Sequence, residues 1–386
     1  MRVLMLTPHM RFGYGVAEAI RRLDVELRRF GISSVVGCLT VDEHFPEIDT
    51  RRVDPTQRAV LDLAERHRAE VVVAHGSPFF EVLPGLGLPT VAYEYGDPTP
   101  ELFTADADAR RAIVTYKATH VYPGVTAVAA ISDFVRHDIA VPTATVIRLG
   151  ADHVPDLGIK TDVGRARGPL RVGTLMRLGA GESHYKGTSL LPDLRARLEK
   201  HDVPFEFHVA GRGTPQEAAT LRREGFHAHV NLDDDQRVDY LRGLDVFVSL
   251  SLWEGMNLPL VEAAALGTPA LALDTGAHPE FSPLIYSGVE GMAAQLEAYA
   301  NRPGLLEEHG QMSYRYVRRR FTWSACGAGF AALLLRVAGP PLQQRPVRVR
   351  YRVARNTARR RLREVGLIRA TRTAVRQSRG KTSSRH

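Results

Sequence analysis

The sequence predicts an α/β protein: two doubly wound, Rossmann-like domains that face each other across a cleft, followed by a basic C-terminal tail. Three observations carry this. Short apolar runs of strand length alternate with segments of helical spacing from the first residues onward. The alternation is interrupted by a polar stretch around residues 156–168 and then starts again. The length of 386 residues is ample for two domains with separate cores. The predicted units are a first Rossmann-like domain at 1–165, a second at 166–336 that includes a final helix, and an Arg-rich tail at 337–386.

In the first unit residues 3–7 read as a strand and Gly13-Tyr14-Gly15 as a tight loop. Residues 16–30 have helical spacing, with Ala19, Leu23 and Leu27 on one face and a stop at Gly31. Further strands are expected at 34–39, 71–75, 90–95, 127–131 and 145–149. The second unit supplies strands at 170–175, 205–210, 230–231, 246–250 and 270–273. Phe321-Thr322-Trp323 opens the last well-patterned helix, to about residue 337. Facing units of this kind place a cleft at their strand ends.

Composition is ordinary for a soluble globular chain, at 44% hydrophobic and 24% charged. The cysteines are Cys38 and Cys326, far apart, so neither a disulfide framework nor a Cys-based metal site follows, and a cytoplasmic location is expected. The N-terminal apolar run is too short for a signal peptide. No apolar segment is expected to approach the ~18 residues that span a bilayer. Charge is uneven. Residues 337–386 hold fourteen arginines and one lysine against the lone acid Glu364, while residues 1–336 hold 36 basic and 42 acidic residues. The body is mildly acidic, which argues against nucleic acid as its partner.

The most informative stretch is Ser251-Leu252-Trp253-Glu254-Gly255-Met256-Asn257-Leu258-Pro259-Leu260-Val261-Glu262, running on to Gly267. An apolar strand precedes it, Pro259 suits the first turn of a helix, and Gly267 suits the left-handed residue that ends one. Glu254 therefore falls at the carboxyl end of a strand and Glu262 on the following helix. The backbone N–H groups of Met256, Asn257 and Leu258 are expected to point outward at the positive helix end, where phosphate is favoured. Two carboxylates beside an anion site suit a partner with both phosphates and hydroxyls, as in a nucleotide sugar.

This run resembles the signature E-G-F-G-L-P-x-x-E-A-M-A-x-G of retaining GT-B glycosyltransferases of family four (group 1). Asn257 stands where Gly is usual, and Asn tolerates unusual backbone angles. The resemblance implies transfer of a sugar from a nucleoside-diphosphate donor to an acceptor hydroxyl, with retention at the anomeric carbon. It further implies that Glu254 holds the sugar, that Glu262 holds the ribose hydroxyls, and that Arg177 and Lys186, in Met176-Arg177-Leu178 and Tyr185-Lys186-Gly187, hold the diphosphate. Fixed cations aimed at the departing diphosphate are a large catalytic contribution. Gly15 would let backbone approach the diphosphate, and Gly211 and Gly213 in Gly211-Arg212-Gly213 resemble the turn beside the base. Glu280 resembles a donor-side position. Ser132, Gly150 and Asp152 match architectural landmarks. Many relatives carry a His after the strand that here ends Tyr93-Glu94-Tyr95-Gly96-Asp97, so Tyr95 or Asp97 is the expected first-domain catalytic group, with Glu94 and His75 as alternatives.

Asp106-Ala107-Asp108 and Asp233-Asp234-Asp235 read as helix starts, not metal sites. No tightly bound cofactor and no obligatory divalent metal are expected, the nucleotide sugar being a co-substrate. In the tail, Ala354, Ala358, Leu362 and Val365 share one helical face surrounded by arginines. That fits either an amphipathic helix on an anionic membrane surface, making the enzyme peripheral on the inner face, or a solvated disordered tail. The expected partners are the donor and an acceptor that is a saccharide, lipid or small natural product. The alternatives are a GT-B nucleotide-sugar epimerase and a non-catalytic nucleotide-sugar-binding protein whose tail binds membrane or nucleic acid.

Overall fold

The β-branched and small apolar runs form two separate sheets, and every strand pair in both is parallel. The computed structural model describes residues 1–41, 45–103, 105–160, 168–178 and 184–339. The first sheet contains β1 (Arg2–Met10), β2 (Ser33–Val41), β3 (Thr50–Arg52), β4 (Val71–Ala74), β5 (Thr90–Glu94), β6 (Ala127–Ala130) and β7 (Thr145–Val146), in the order β3-β2-β1-β4-β5-β6-β7. The second contains β8 (Leu170–Arg177), β9 (Phe205–Arg212), β10 (His227–Val230), β11 (Val246–Ser249), β12 (Ala270–Leu273) and β13 (Leu284–Tyr286), in the order β10-β9-β8-β11-β12-β13. In each sheet the direction of strand progression reverses beside the first strand, between β1 and β4 and between β8 and β11. Such switch points open a crevice at the carboxyl ends of the strands.

Both faces of the central strands are covered, so β4, β5, β11 and β12 are buried along their whole length. Leu4, Leu6, Val72, Phe79 and Ala92 centre one core cluster, and Val172, Phe207, Val248, Leu271 and Leu296 another. Each large side chain buried this way contributes about 1.5–3 kcal/mol.

Two strands escape the sequence reading. β3 and β13 are three residues each, too short for any periodicity to register. The strand expected at 230–231 lies earlier, at His227–Val230, where two histidines hide the apolar pattern. The strand expected at 145–149 pairs only over Thr145–Val146 before the chain leaves the sheet.

The chain passes between the sheets after β7 and returns through the helix Trp323–Ala338. The two passages are bonded to each other. Ala151 N–H donates to the Phe321 carbonyl at 3.0 Å, and Trp323 N–H to Asp152 Oδ1 at 2.7 Å. Gly150 permits this, because a methyl group there would run into the backbone of Trp323. The returning helix then packs on the first sheet, with Phe330 5.5 Å from the Tyr93 ring and Arg336 Nη2 donating to Thr145 Oγ1 at 3.0 Å. The stretch Pro303–Ala338 contains an 18-residue window of mean hydropathy 1.4, contrary to the expectation that no segment approaches spanning length. Half of that window is buried inside the fold, which accounts for its apolar character. The basic segment from residue 340 onward lies outside the described residues.

Candidate active site

The helix Leu258–Ala265 begins as its sequence requires. Pro259 sits in its first turn, and Asn257 caps it, Oδ1 accepting from Leu260 N–H at 3.2 Å. Asn257 has an extended backbone (φ −92°), so its presence is explained by capping rather than by tolerance of unusual angles. Its Nδ2 donates to Ser249 Oγ at 2.8 Å and approaches Glu254 Oε1 at 3.4 Å. Gly267, at φ +80°, ends the segment as expected.

Glu254 lies 5% exposed at the end of β11, and its Oε1 accepts from Lys186 Nζ at 2.8 Å. Burial alone would lower the Lys186 pKa; the adjacent Glu254 carboxylate more than offsets this and holds it above the ordinary lysine range. The lysine is therefore a fixed cation. Arg177 ends β8 with its guanidinium 5.4 Å from the centre of the Tyr14 ring, which comes from the opposite sheet. Gly211 lets β9 pass close to β8, since a methyl group there would strike the Met176 carbonyl. Gly255 likewise brings the loop after β11 against the Tyr95 carbonyl of the other sheet.

These groups line one cavity of about 430 Å³ between the two sheets. Gly15, Tyr95, Arg177, Lys186, Gly211, Glu254, Met256, Asn257 and Leu258 all contribute to its wall. Nine residues chosen from sequence thus converge from both domains.

Four do not reach the wall, and each has an identifiable reason. Glu280 binds the other domain: its carboxylate accepts from the N–H groups of Asp133 at 3.0 Å and Phe134 at 2.7 Å, and from Arg148 Nη2 at 2.8 Å. It caps the helix Asp133–Asp138 from across the cleft and joins the lobes. Asp97 turns away to pair with the buried Lys117, which also donates to Glu94 at 2.7 Å. Those two carboxylates outweigh the burial of Lys117 and keep it charged, so neither Glu94 nor Asp97 is a spare acid–base group. Gly213 is held by the Asn231 side chain, whose Oδ1 accepts from its N–H and whose Nδ2 donates to its carbonyl. Glu262 is fully buried one turn behind Leu258; His153 Nε2 lies 2.8 Å and Arg237 Nη1 3.3 Å from its Oε1. Burial would raise its pKa, but Arg237 and His153 bring it down to about 2, so it is ionised. Its Oε2 has no hydrogen-bond partner among the described residues.

His75 is buried behind Tyr95, with Nδ1 3.0 Å from the tyrosine hydroxyl, and burial takes its pKa down to about 3. It is a neutral support for Tyr95. Ser132 caps the helix Asp133–Asp138. Asp106 and Asp108 pair with Arg110 and Arg111 at the start of the helix Ala107–Tyr116, and Asp233 closes a capping box with Gln236.

Arg237, His153 and His278 were not found from sequence. Arg237 lines the cavity and bonds Glu262. His278 Nδ1 is 2.9 Å from the Leu273 carbonyl, placing the ring proton there, so Nε2 accepts from Ser249 or Asn257. Each comes from an element remote in sequence from the residue it supports, and no local spacing signals such a contact.

Comparison with known proteins bears on the fold and on part of the sequence. A family profile described as "Glycosyl transferases group 1" matches residues 172–302. HepE of Anabaena, solved with UDP-glucose, superposes with a TM-score of 0.68 over 86% of this chain and 99% of that one, at 14% identity. The chain is 26% identical over 194 residues to the MMP α-(1→4)-mannosyltransferase of Mycolicibacterium hassiacum, covering 47% of each protein. It is 35% identical over 116 residues to the lipopolysaccharide core mannosyltransferase LpsB of Rhizobium meliloti, covering 28% of this chain and 32% of that one. These alignments span half or less of the curated relatives' lengths. The fold is that of the GT-B glycosyltransferases. The second sheet and its helices, residues 172–302, are similar in sequence to the group 1 members of that fold.

Proposed function

We propose that the chain transfers a hexosyl group from a nucleoside-diphosphate sugar to an acceptor hydroxyl, with retention of anomeric configuration. The observation that carries this reading is the Lys186–Glu254 pair at the mouth of the Asn257-capped helix, beside Arg177, in one interdomain cavity. Arg177, Lys186 and the helix-end amides are the groups for the diphosphate, whose negative charge grows as the glycosidic bond breaks. Glu254 takes sugar hydroxyls and orients the anomeric carbon. Glu262 lies one turn behind the wall and pairs with the wall residue Arg237; its unpartnered oxygen is the group for the ribose hydroxyls once an entering nucleotide opens the way to it. Tyr95, backed by His75, is the first-domain group that faces the sugar.

In this reading the acceptor attacks from the face that the diphosphate leaves, and the departing phosphate takes the acceptor proton. That requires no pair of acid–base carboxylates of the glycosidase kind. The mannosyltransferase relatives and the UDP-glucose complex of a structural neighbour support a hexose donor. The reading also expects no need for a divalent ion. The test is a thermal-shift screen of nucleoside diphosphates and their sugars, followed by transfer assays with NMR of the new anomeric centre, with and without EDTA. A bound donor raises the melting temperature by mass action. An inverted product, or no response to any nucleotide sugar, overturns the reading.

A further inference from the structure

The indole nitrogen of tryptophan always carries hydrogen and can only donate. Trp323 Nε1 lies 3.0 Å from His153 Nδ1, so that ring nitrogen accepts and the imidazole proton sits on Nε2. Nε2 in turn lies 2.8 Å from Glu262 Oε1. The direction of both bonds is therefore fixed, from Trp323 to His153 to Glu262. Arg237 forms an ion pair with the same oxygen, Nη1 lying 3.3 Å from Oε1. All the support falls on one side of the carboxylate, and Oε2 is left buried with no donor among the described residues. The side chains of His153 and Glu262 are each only 1% exposed, so water does not supply the missing bond from open solvent. Leaving a buried charged oxygen unpaired is costly unless a ligand completes it.

We propose that His153 is a positioning residue for the donor nucleotide. It turns Glu262 so that Oε2 is kept for the ribose hydroxyls, and Trp323 sets the histidine tautomer that does so. The opposite tautomer would aim a lone pair at Oε1 and repel the carboxylate. Because Trp323 begins the returning helix, the nucleotide site is tied directly to the junction between the two lobes. The proposal rests on the assignment of Glu262 to the ribose.

The test measures binding of UDP, GDP and ADP, each beside its 2′,3′-dideoxy counterpart, to the full chain by titration calorimetry. The parent protein should bind the ribonucleotide of its preferred base at least ~10-fold more tightly than the dideoxy form, the size expected for hydrogen bonds to a charged group. His153→Leu should reduce that ratio to near one while leaving the dideoxy affinity unchanged, and Trp323→Phe should reduce it in the same direction. His153→Gln, whose amide N–H can stand in for Nε2–H, should keep it. An unchanged ratio in both His153→Leu and Trp323→Phe overturns the proposal, as does equal weakening of both nucleotides, which is what loss of packing alone would do. A parent protein that treats the two nucleotides alike overturns the assignment of Glu262 itself. Should His153→Leu not fold, Trp323→Phe against His153→Gln gives the same reading.

Discussion

Lys186 and Glu254 hold each other in place before any substrate arrives, and neither can be removed without leaving the other charge largely buried and unpaired. Replacing either with alanine should lower kcat/KM for sugar transfer by at least ~100-fold, as expected for lost contacts to developing charge. Steady-state kinetics with the identified donor checks this, and near-normal rates in both variants would contradict the site. Burial also sets an acid sensitivity. His75 has its pKa near 3 in the fold against about 6.5 free, so below pH 6.5 the unfolded chain takes up a proton that the folded one refuses. Glu262, near 2 against an ordinary 4.5, contributes stability that is complete above about pH 4.5 and lost as the pH falls toward 2. Both act in one direction: the melting temperature should fall from pH 7 to pH 4, and His75→Gln should flatten the part above pH 4.5. Calorimetry at pH 7, 5.5 and 4 is the check. At this scale Arg177, Lys186 and Glu254 were legible because each ends a strand or lies in its following loop, where the motif fixes its place. Glu280 was misread because its partner, the start of the helix Asp133–Asp138, is about 150 residues away. His153 gave no signal, since its meaning depends on Trp323.

Elements were read well wherever apolar runs are long, and β12 falls on the very residues expected, 270–273. Short edge strands were missed for lack of residues to count. Glycines carry much of the placement. Gly187 has φ +74° and lies against the Leu250 carbonyl, which fixes the turn that delivers Lys186 to Glu254. Alanine there meets both a left-handed backbone and backbone atoms with no room to yield. A cost of about 1–3 kcal/mol is expected, with a matching drop in melting temperature and a larger loss of activity than of stability. Unchanged melting would show that the turn adapts.

For the whole chain, the separation of a mildly acidic body from a strongly basic tail is the one large-scale property carried by composition alone. The tail should draw the protein to anionic vesicles. Flotation of the full chain, compared with a version ending near Val337, should show the longer one rising with the lipid in low salt and less so in high salt. Equal behaviour of the two would remove the membrane role. The two-lobed layout was legible from the restart of the strand–helix pattern; the fastening between lobes was not, because it depends on pairs such as Glu280 with Arg148.

The bonded passages at residues 150–152 and 321–323 give the lobes a pivot made of two plies of chain. A swing about that pivot leaves the bonds intact, whereas sliding one lobe along the other would have to tear them. A swing that parted Tyr95 from Gly255 would keep these bonds and would instead have to release Glu280 from Arg148 and from the start of the helix Asp133–Asp138.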